Sequence, residues 1–285
     1  MIHYCMIDGE LLPLSEAAIG VTDLGLLRGY GMFDFFLVKE GEPLFVEDYL
    51  DRFWRSARQM KIDVPLDRDE LIDKINQLLD ANGLRDASIR LVLTGGYSQD
   101  GYTPQAGKAN LLILEHPFPN YPAKQYEEGI ALLLHAFERQ FPTIKTTNYL
   151  AGILMRDQLT QAGADDLLFH TDGKITETTR ANFFLVLPGN VIVTAEDGIL
   201  EGITRKYVLR LANRHYRIER RRPTVEELGQ ATEAFITSST KRVMPVVRID
   251  DVIIGNGKPG AVARHLLELL REAENLYLSS KLRVK

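Results

Sequence analysis

The 285-residue sequence has a single cysteine, Cys5. That excludes an internal disulfide and any cysteine-rich zinc site. Its six histidines are scattered, with no pair at helical metal-ligand spacing, so no metal centre is expected. No apolar run approaches the ~18 residues needed to cross a bilayer, and the opening MIHYCMIDGE lacks signal-peptide character. No membrane span is expected, and a reducing cytoplasm is the default compartment. An excess of positive charge is missing too: the formal net charge of −5 argues against a nucleic-acid partner. There is no internal repeat and no low-complexity segment. What remains is an ordinary globular composition, 45% apolar and 26% charged, on a chain long enough for two lobes.

Taken in order, the chain opens with two short strands around Asp8-Gly9. Apolar residues after Gly29 and Gly31 run into a hairpin turn at Glu40-Gly41-Glu42-Pro43. Tyr49, Leu50, Phe53, Trp54 and Ala57 predict a helix, and a second covers about 67–82 and stops at Asn82-Gly83. SIRLVLTGG and ANLLILEH have the character of buried strands. HPFPNYPAKQY carries three prolines and suits a linker, which places a small N-terminal domain at 1–116, a linker at 117–123 and a large C-terminal domain at 124–285. Beyond it come a strand at GIALLLHAF, short strands with turns at Asp172-Gly173 and Pro188-Gly189-Asn190, a helix from Gly202, two strands around Ser238-Ser239-Thr240, and a last helix from about Pro259 to Leu278. Strands outnumber helices and many are joined tightly, which indicates an α+β chain with two lobes.

One lysine stands out. Pro142 holds Phe141 extended. An apolar pattern at Tyr149, Leu150, Ile153, Leu154 and Leu159 then predicts a helix, with Thr147 or Asn148 as its cap. Lys145 sits just outside that helix start, on a short extended segment. Most lysines are solvated surface residues. A restrained and desolvated one is a nucleophile towards a carbonyl.

Other polar positions each have two readings. Glu177, at the start of an apolar run, is either a solvated strand-end carboxylate or a buried acceptor for a cationic ring nitrogen. EGITR opens a helix at Gly202, whose amides and the Thr204 hydroxyl bind either water or a phosphate. Ser238-Ser239-Thr240 is either an ordinary turn or a cluster of donors. Arg52 lies on an amphipathic helix and could be a surface residue. The basic run at 213–222 alternates as a solvated strand face does, and in an acidic chain it does not argue for RNA.

Placed in order, the pieces LLRGYGMFDFF, YLDRFWRSA, IRLVLTGG, IKTTNYLAGIL, DDLLFHTDGKITETTRANFFLV, GILEGITRKYVL and EAFITSSTKRVMPV resemble the fold-type IV pyridoxal-phosphate enzymes. These are the branched-chain aminotransferases, D-amino-acid aminotransferases and aminodeoxychorismate lyases. The resemblance covers nearly the whole chain. It implies a two-lobed α+β fold, with a small α/β lobe and a larger lobe built on a β-barrel-like core. It also implies pyridoxal 5′-phosphate as cofactor and a homodimer with no nucleic-acid or membrane partner. By position, Lys145 resembles the lysine that bonds the cofactor and then moves a proton between substrate and cofactor. Glu177 resembles the carboxylate that keeps the pyridine nitrogen protonated. Arg52, Ile203, Thr204, Ser239 and Thr240 match phosphate ligands, and Leu200 matches the apolar residue under the ring. Tyr149, one residue nearer the lysine than in the branched-chain enzymes, matches a partner of the phenolic oxygen.

For the substrates, an amino acid and a 2-keto acid in a ping-pong cycle, the resemblance points to Arg28 and Arg90. The Arg-x-His pair that many D-amino-acid enzymes carry is absent from TGGYSQDGYTP. Arg28 stands where an aromatic residue is usual, in a segment expected to complete the neighbouring subunit's site. Lys241 and Arg242 stand where a small residue normally leaves turn amides open to L-substrates. The favoured expectation is a D-amino-acid aminotransferase. The alternatives are a branched-chain L-amino-acid aminotransferase, an aminodeoxychorismate lyase, or an inert cofactor-binding protein.

Overall fold

The computed structural model describes residues 2–282, and the chain forms two compact units. The first comprises residues 2–119, 144–148 and 277–282; the second comprises 120–143 and 149–276.

In the first unit, Asp8 and Gly9 both take positive φ (51° and 83°), the geometry of a two-residue hairpin turn, between β1 (Tyr4–Ile7) and β2 (Glu10–Pro13). A short helix α1 (Leu24–Arg28) follows, capped by the Asp23 side chain, and leads into β3 (Gly31–Lys39) and β4 (Glu42–Pro43). Helix α2 (Val46–Met60) buries Val46, Tyr49, Leu50, Phe53 and Ala57 on one face. Helix α3 (Arg68–Asn82) opens with a capping box between Asp67 and Glu70 and closes with Gly83 in the left-handed region. Strands β5 (Ala87–Thr94) and β6 (Asn110–Pro117) complete an antiparallel sheet in the order β2-β1-β6-β5-β3-β4. The register Phe35↔Arg90↔Leu114 and Phe33↔Val92↔Leu112 puts these six residues on one face. Phe36, Ile89, Leu91, Leu93, Leu111 and Ile113 occupy the other and are wholly buried.

That buried face also holds a charge pair. Arg52 of α2 donates to Asp34 of β3 through Nε (2.9 Å) and Nη2 (2.6 Å), with side-chain exposures of 4% and 1%. The guanidinium lies 5.3 Å from the Tyr49 ring centre. The surface reading of Arg52 is thereby corrected: α2 turns it inward because β3 offers a carboxylate there.

The second unit contains α4 (Ala123–Glu128), β7 (Ile130–Ala136), α5 (Leu150–Leu154), α6 (Arg156–Ala162), β8 (Asp166–Thr171), β9 (Lys174–Thr178), β10 (Asn182–Leu187) and β11 (Val191–Thr194). Then follow α7 (Ile203–Ala212), β12 (Arg217–Arg220), a 3-10 turn (Val225–Gln230), β13 (Glu233–Ser238), β14 (Arg242–Ile249), β15 (Val252–Ile253) and α8 (Ala261–Leu282), whose residues from 277 on group with the first unit. Strands β10-β13-β14-β7-β8-β9 close into a six-stranded barrel, because β9 returns to β10 through the pair Glu177↔Asn182. Strand alternation divides the core. Phe183, Leu185, Ile236, Met244 and Leu168 pack in one cluster, while Phe184, Val186, Phe235 and Val243 pack with α7 and α8 in the other.

Two sequence expectations are revised. The division is not linear: residues 144–148 and the chain from 277 group with the first unit, the boundary after β6 falls at 119/120, and part of the expected linker is helical in α4. The helix expected after Lys145 breaks into α5 and α6 at Met155 and has no side-chain cap. Thr147 does not cap it: the cap position is Tyr149, two residues on, and the Thr147 amide (3.1 Å) and hydroxyl (3.3 Å) both donate to the Gly31 carbonyl. The apolar stripe of α5 is also outside: Leu150, Ile153 and Leu154 are 59%, 68% and 70% exposed.

Removing one partner of a buried ion pair strands the other charge in a dry interior. Asp34→Ala should therefore lower the unfolding free energy by about 3–5 kcal/mol in urea titration. An apolar replacement of both Asp34 and Arg52 should cost much less.

Candidate active site

The Lys145 segment forms a short antiparallel strap on β3. Phe33 donates its amide to the Lys145 carbonyl (2.9 Å), Thr146 bridges Met32, and Thr147 is tied to Gly31 as described. Strand β4 pairs only with Val38 and Lys39, so the N-terminal half of β3 is free of it and can take the strap. The strap fixes the backbone and directs the half-buried Lys145 side chain across the sheet face. Its Nζ lies 4.7 Å from the Phe33 ring centre. Arg90 sits on the same face, with its guanidinium carbon 5.5 Å from Phe33 and 5.9 Å from Phe35. An amine and an exposed guanidinium thus share one aromatic ring. Burial, and then the Arg90 charge, hold the neighbouring His116 imidazole below its ordinary pKa.

Arg28 is elsewhere in this unit, at the exposed end of α1. It donates to the Leu27 carbonyl, and its Nη2 lies beside Gly101. Within one chain, the structure does not bring Arg28 to the Arg90–Phe33 cluster.

In the second unit Glu177 is 3% exposed, which excludes the solvated reading. Its Oε1 accepts from Arg139 Nε at 2.8 Å, and its Oε2 accepts from Asn182 Nδ2 at 3.2 Å and the Leu200 amide at 3.1 Å. Asn182 Nδ2 also donates to the Leu200 carbonyl (2.7 Å). Leu200 is therefore fixed by both its backbone groups beside the carboxylate. The chain then enters α7 through Gly202, where a Cβ would stand 2.2 Å from Asn182 Oδ1, so only glycine fits.

No side chain caps α7. Its first turn carries buried Ile203, Thr204 and Arg205. Burial pushes the Arg205 pKa down, and its Nε lacks a hydrogen-bond partner. Register places Thr237, whose hydroxyl is also buried and unpartnered, opposite Asn182. The turn carrying Ser239 and Thr240 follows directly. Orphaned donors and an uncapped helix start are what an anionic group such as a phosphate satisfies. A buried carboxylate alongside suits a protonated ring nitrogen.

Tyr149 packs its ring on the Arg139 guanidinium (5.7 Å). Lys241 and Arg242 both turn away from the turn they follow. Lys241 Nζ approaches Asp166 at 3.8 Å inside the barrel, and Arg242 Nε meets both Glu274 oxygens at 2.9 Å. Ser238 Oγ accepts from the Lys241 amide (3.1 Å).

Sequence reasoning missed Arg139, Asn182 and Phe33. Asn182 was legible in principle, as a polar residue opening an otherwise apolar strand. Arg139 lies in an irregular stretch with no periodicity, where no pattern marks one charge over another.

A family profile described as Amino-transferase class IV matches residues 31–249. A protein of Methanocaldococcus jannaschii, provisionally named a branched-chain-amino-acid aminotransferase, is 32% identical over 93% of this chain and 94% of its own. A D-alanine aminotransferase of Bacillus licheniformis is 30% identical over 94% and 96%. Among solved structures, a branched-chain amino acid aminotransferase of T.th. with pyridoxamine 5′-phosphate superposes with a TM-score of 0.85 at 27% identity, covering 96% of this chain and 94% of that one.

The protein loaded with pyridoxal 5′-phosphate should be yellow, and borohydride should attach the cofactor to Lys145 in a peptide map. Lys145→Ala should bind the cofactor without turnover. Labelling of a different lysine would reject this site.

Proposed function

Because the chain belongs to the Amino-transferase class IV family, whose members use pyridoxal phosphate, we propose that it transfers an amino group from a D-amino acid to a 2-keto acid. The cofactor supplies the carbonyl that takes up the amino group and the electron sink that lets the substrate α-proton leave. Lys145 would hold it and would move the proton at the substrate α-carbon. Glu177 would keep its ring nitrogen protonated. Arg52, Ile203, Thr204, Ser239 and Thr240 would hold the phosphate. Leu200 would supply apolar contact to the ring, and Tyr149 a hydroxyl for the phenolic oxygen.

The observation that carries the substrate reading is that Lys145 and Arg90 both lie against the Phe33 ring. A planar guanidinium grips both oxygens of a carboxylate. On the same ring as the amine, it supports an α-amino acid as substrate with its carboxylate on Arg90. In related enzymes a carboxylate held on the phenolic-oxygen edge goes with D-substrates, and one held on the turn amides goes with L-substrates. The Ser238 hydroxyl on the Lys241 amide favours the first arrangement, since it already occupies one turn donor.

A homodimer completes the proposal. In the second unit Phe141, Leu150, Ile153 and Leu154 form an apolar set exposed by half or more. In the first, Val21, Leu26 and Leu27 stand exposed next to Arg28. Apolar surface of this extent marks an association face. Arg28 would then act on the neighbouring subunit's substrate.

Half-reactions followed by the cofactor spectrum should be faster with D-alanine or D-glutamate than with L-leucine or L-isoleucine. Arg90→Gln should lose about 1.5–3 kcal/mol of half-reaction efficiency, the worth of hydrogen bonds to a charged group. Faster reaction with L-leucine would select the branched-chain alternative. Sedimentation should give a dimer, and a fully active monomer would remove the role given to Arg28.

A further inference from the structure

We propose that Arg139 is a positioning residue that keeps Glu177 charged and aimed, an inference that rests on Glu177 being the partner of the ring nitrogen. Arg139 lies on the irregular segment after β7 and reaches Glu177 with Nε at 2.8 Å. Its Nη2 donates to the carbonyls of Thr179 (2.6 Å) and Thr178 (3.3 Å), the two residues that follow Glu177. One planar group therefore clamps the carboxylate and the backbone beyond it. The guanidinium is itself packed against the Tyr149 and Phe169 rings at 5.7 and 5.5 Å, so it has little freedom to leave.

The clamp answers a physical problem. A carboxylate taken this far out of water favours its neutral form unless a positive charge stands beside it. A neutral Glu177 would place a second hydrogen donor, or no charge at all, where a negative acceptor is required. Two further contacts of Glu177, Asn182 and the Leu200 amide, are uncharged. Arg205 on α7 contributes through its field, without a hydrogen bond to Glu177. Arg139 is a cation in direct contact with the carboxylate. Both Glu177 contacts on Oε2 come from the β10 side and the α7 entry, and Arg139 takes Oε1, so the carboxylate plane is fixed from both sides.

The test titrates Glu177 in the full-length protein labelled with ¹³C-glutamate, with the resonance assigned by its loss in Glu177→Gln. Arg139→Gln should raise the Glu177 midpoint by about 1–3 pH units. Arg139→Lys, which keeps the charge, should hold it near the wild-type value. In the loaded enzyme, Arg139→Gln should acquire an acid limb: half-reaction efficiency falls as pH falls through the raised midpoint, by tenfold or more, where the wild type is flat. Arg139→Lys should lack that limb and show a pH-independent loss from the two carbonyl contacts. Arg139→Met, which keeps the contacts to Tyr149 and Phe169, repeats the charge test should Arg139→Gln fold poorly. An unmoved Glu177 midpoint in the charge-free variants, or an equal loss at every pH, overturns the role of Arg139. Full half-reaction efficiency in Glu177→Gln instead overturns the assignment of Glu177 itself.

Discussion

The second unit depends on the closure of its barrel at a single pair, Glu177 opposite Asn182. Strand β9 meets β10 only there, supported by the Thr178 amide on the Ala181 carbonyl (2.8 Å). A barrel abolishes sheet edges, but the closing strands still need a register. Here two polar side chains at the seam set it: Asn182 donates to Glu177 and, with the same amide nitrogen, to the Leu200 carbonyl that leads into α7. The bond that closes the barrel thus also fixes the helix start that can receive a phosphate. The buried Glu177 carboxylate and the uncapped start of α7 are consequently placed by one feature of the fold.

The same seam carries the cost of burying charge. Asp166, at the start of β8, takes the Thr179 hydroxyl and the Thr178 hydroxyl (3.3 Å), so the β9–β10 turn is held from below as well. Lys241 answers Asp166 from the opposite wall, and Arg139 answers Glu177. At this seam both buried anions have a cation, the arrangement in which such pairs persist. In the first unit Arg52 does the same for Asp34 on the helix side of its sheet. Arg90 remains exposed on the opposite side, packed against two phenylalanine rings.

What was legible in the sequence was whatever has local punctuation. Asp8-Gly9 and Asp172-Gly173 each take two positive φ angles, which few other dipeptides do cheaply, and both hairpins were expected. The stop at Gly83 was likewise local. Glu177 and the helix start at Gly202 were visible as positions, and their burial was not. The strap was hidden because strap and sheet lie more than a hundred residues apart, Thr147 being bonded to Gly31. The stripe Leu150-Ile153-Leu154 marks one helix face, and those residues are exposed. Periodicity reports that a face is apolar without saying what covers it.

Lys241 and Arg242 illustrate why residue type alone misleads about specificity. Two long side chains in place of a small one suggest turn amides that are covered. Their partners draw both side chains elsewhere: Asp166 takes one and Glu274 the other. Arg242 has positive φ (54°), which turns its side chain along the barrel wall towards α8. The Tyr126 hydroxyl donates to the Lys241 carbonyl, so the backbone of the turn is pinned as well. A neutralised cation offers a carboxylate little field, and a pinned backbone cannot rotate its amides to meet one. Arg90 differs from both: among the described ion pairs it has no carboxylate partner, and the aromatic rings it packs on hold it in place without cancelling its charge.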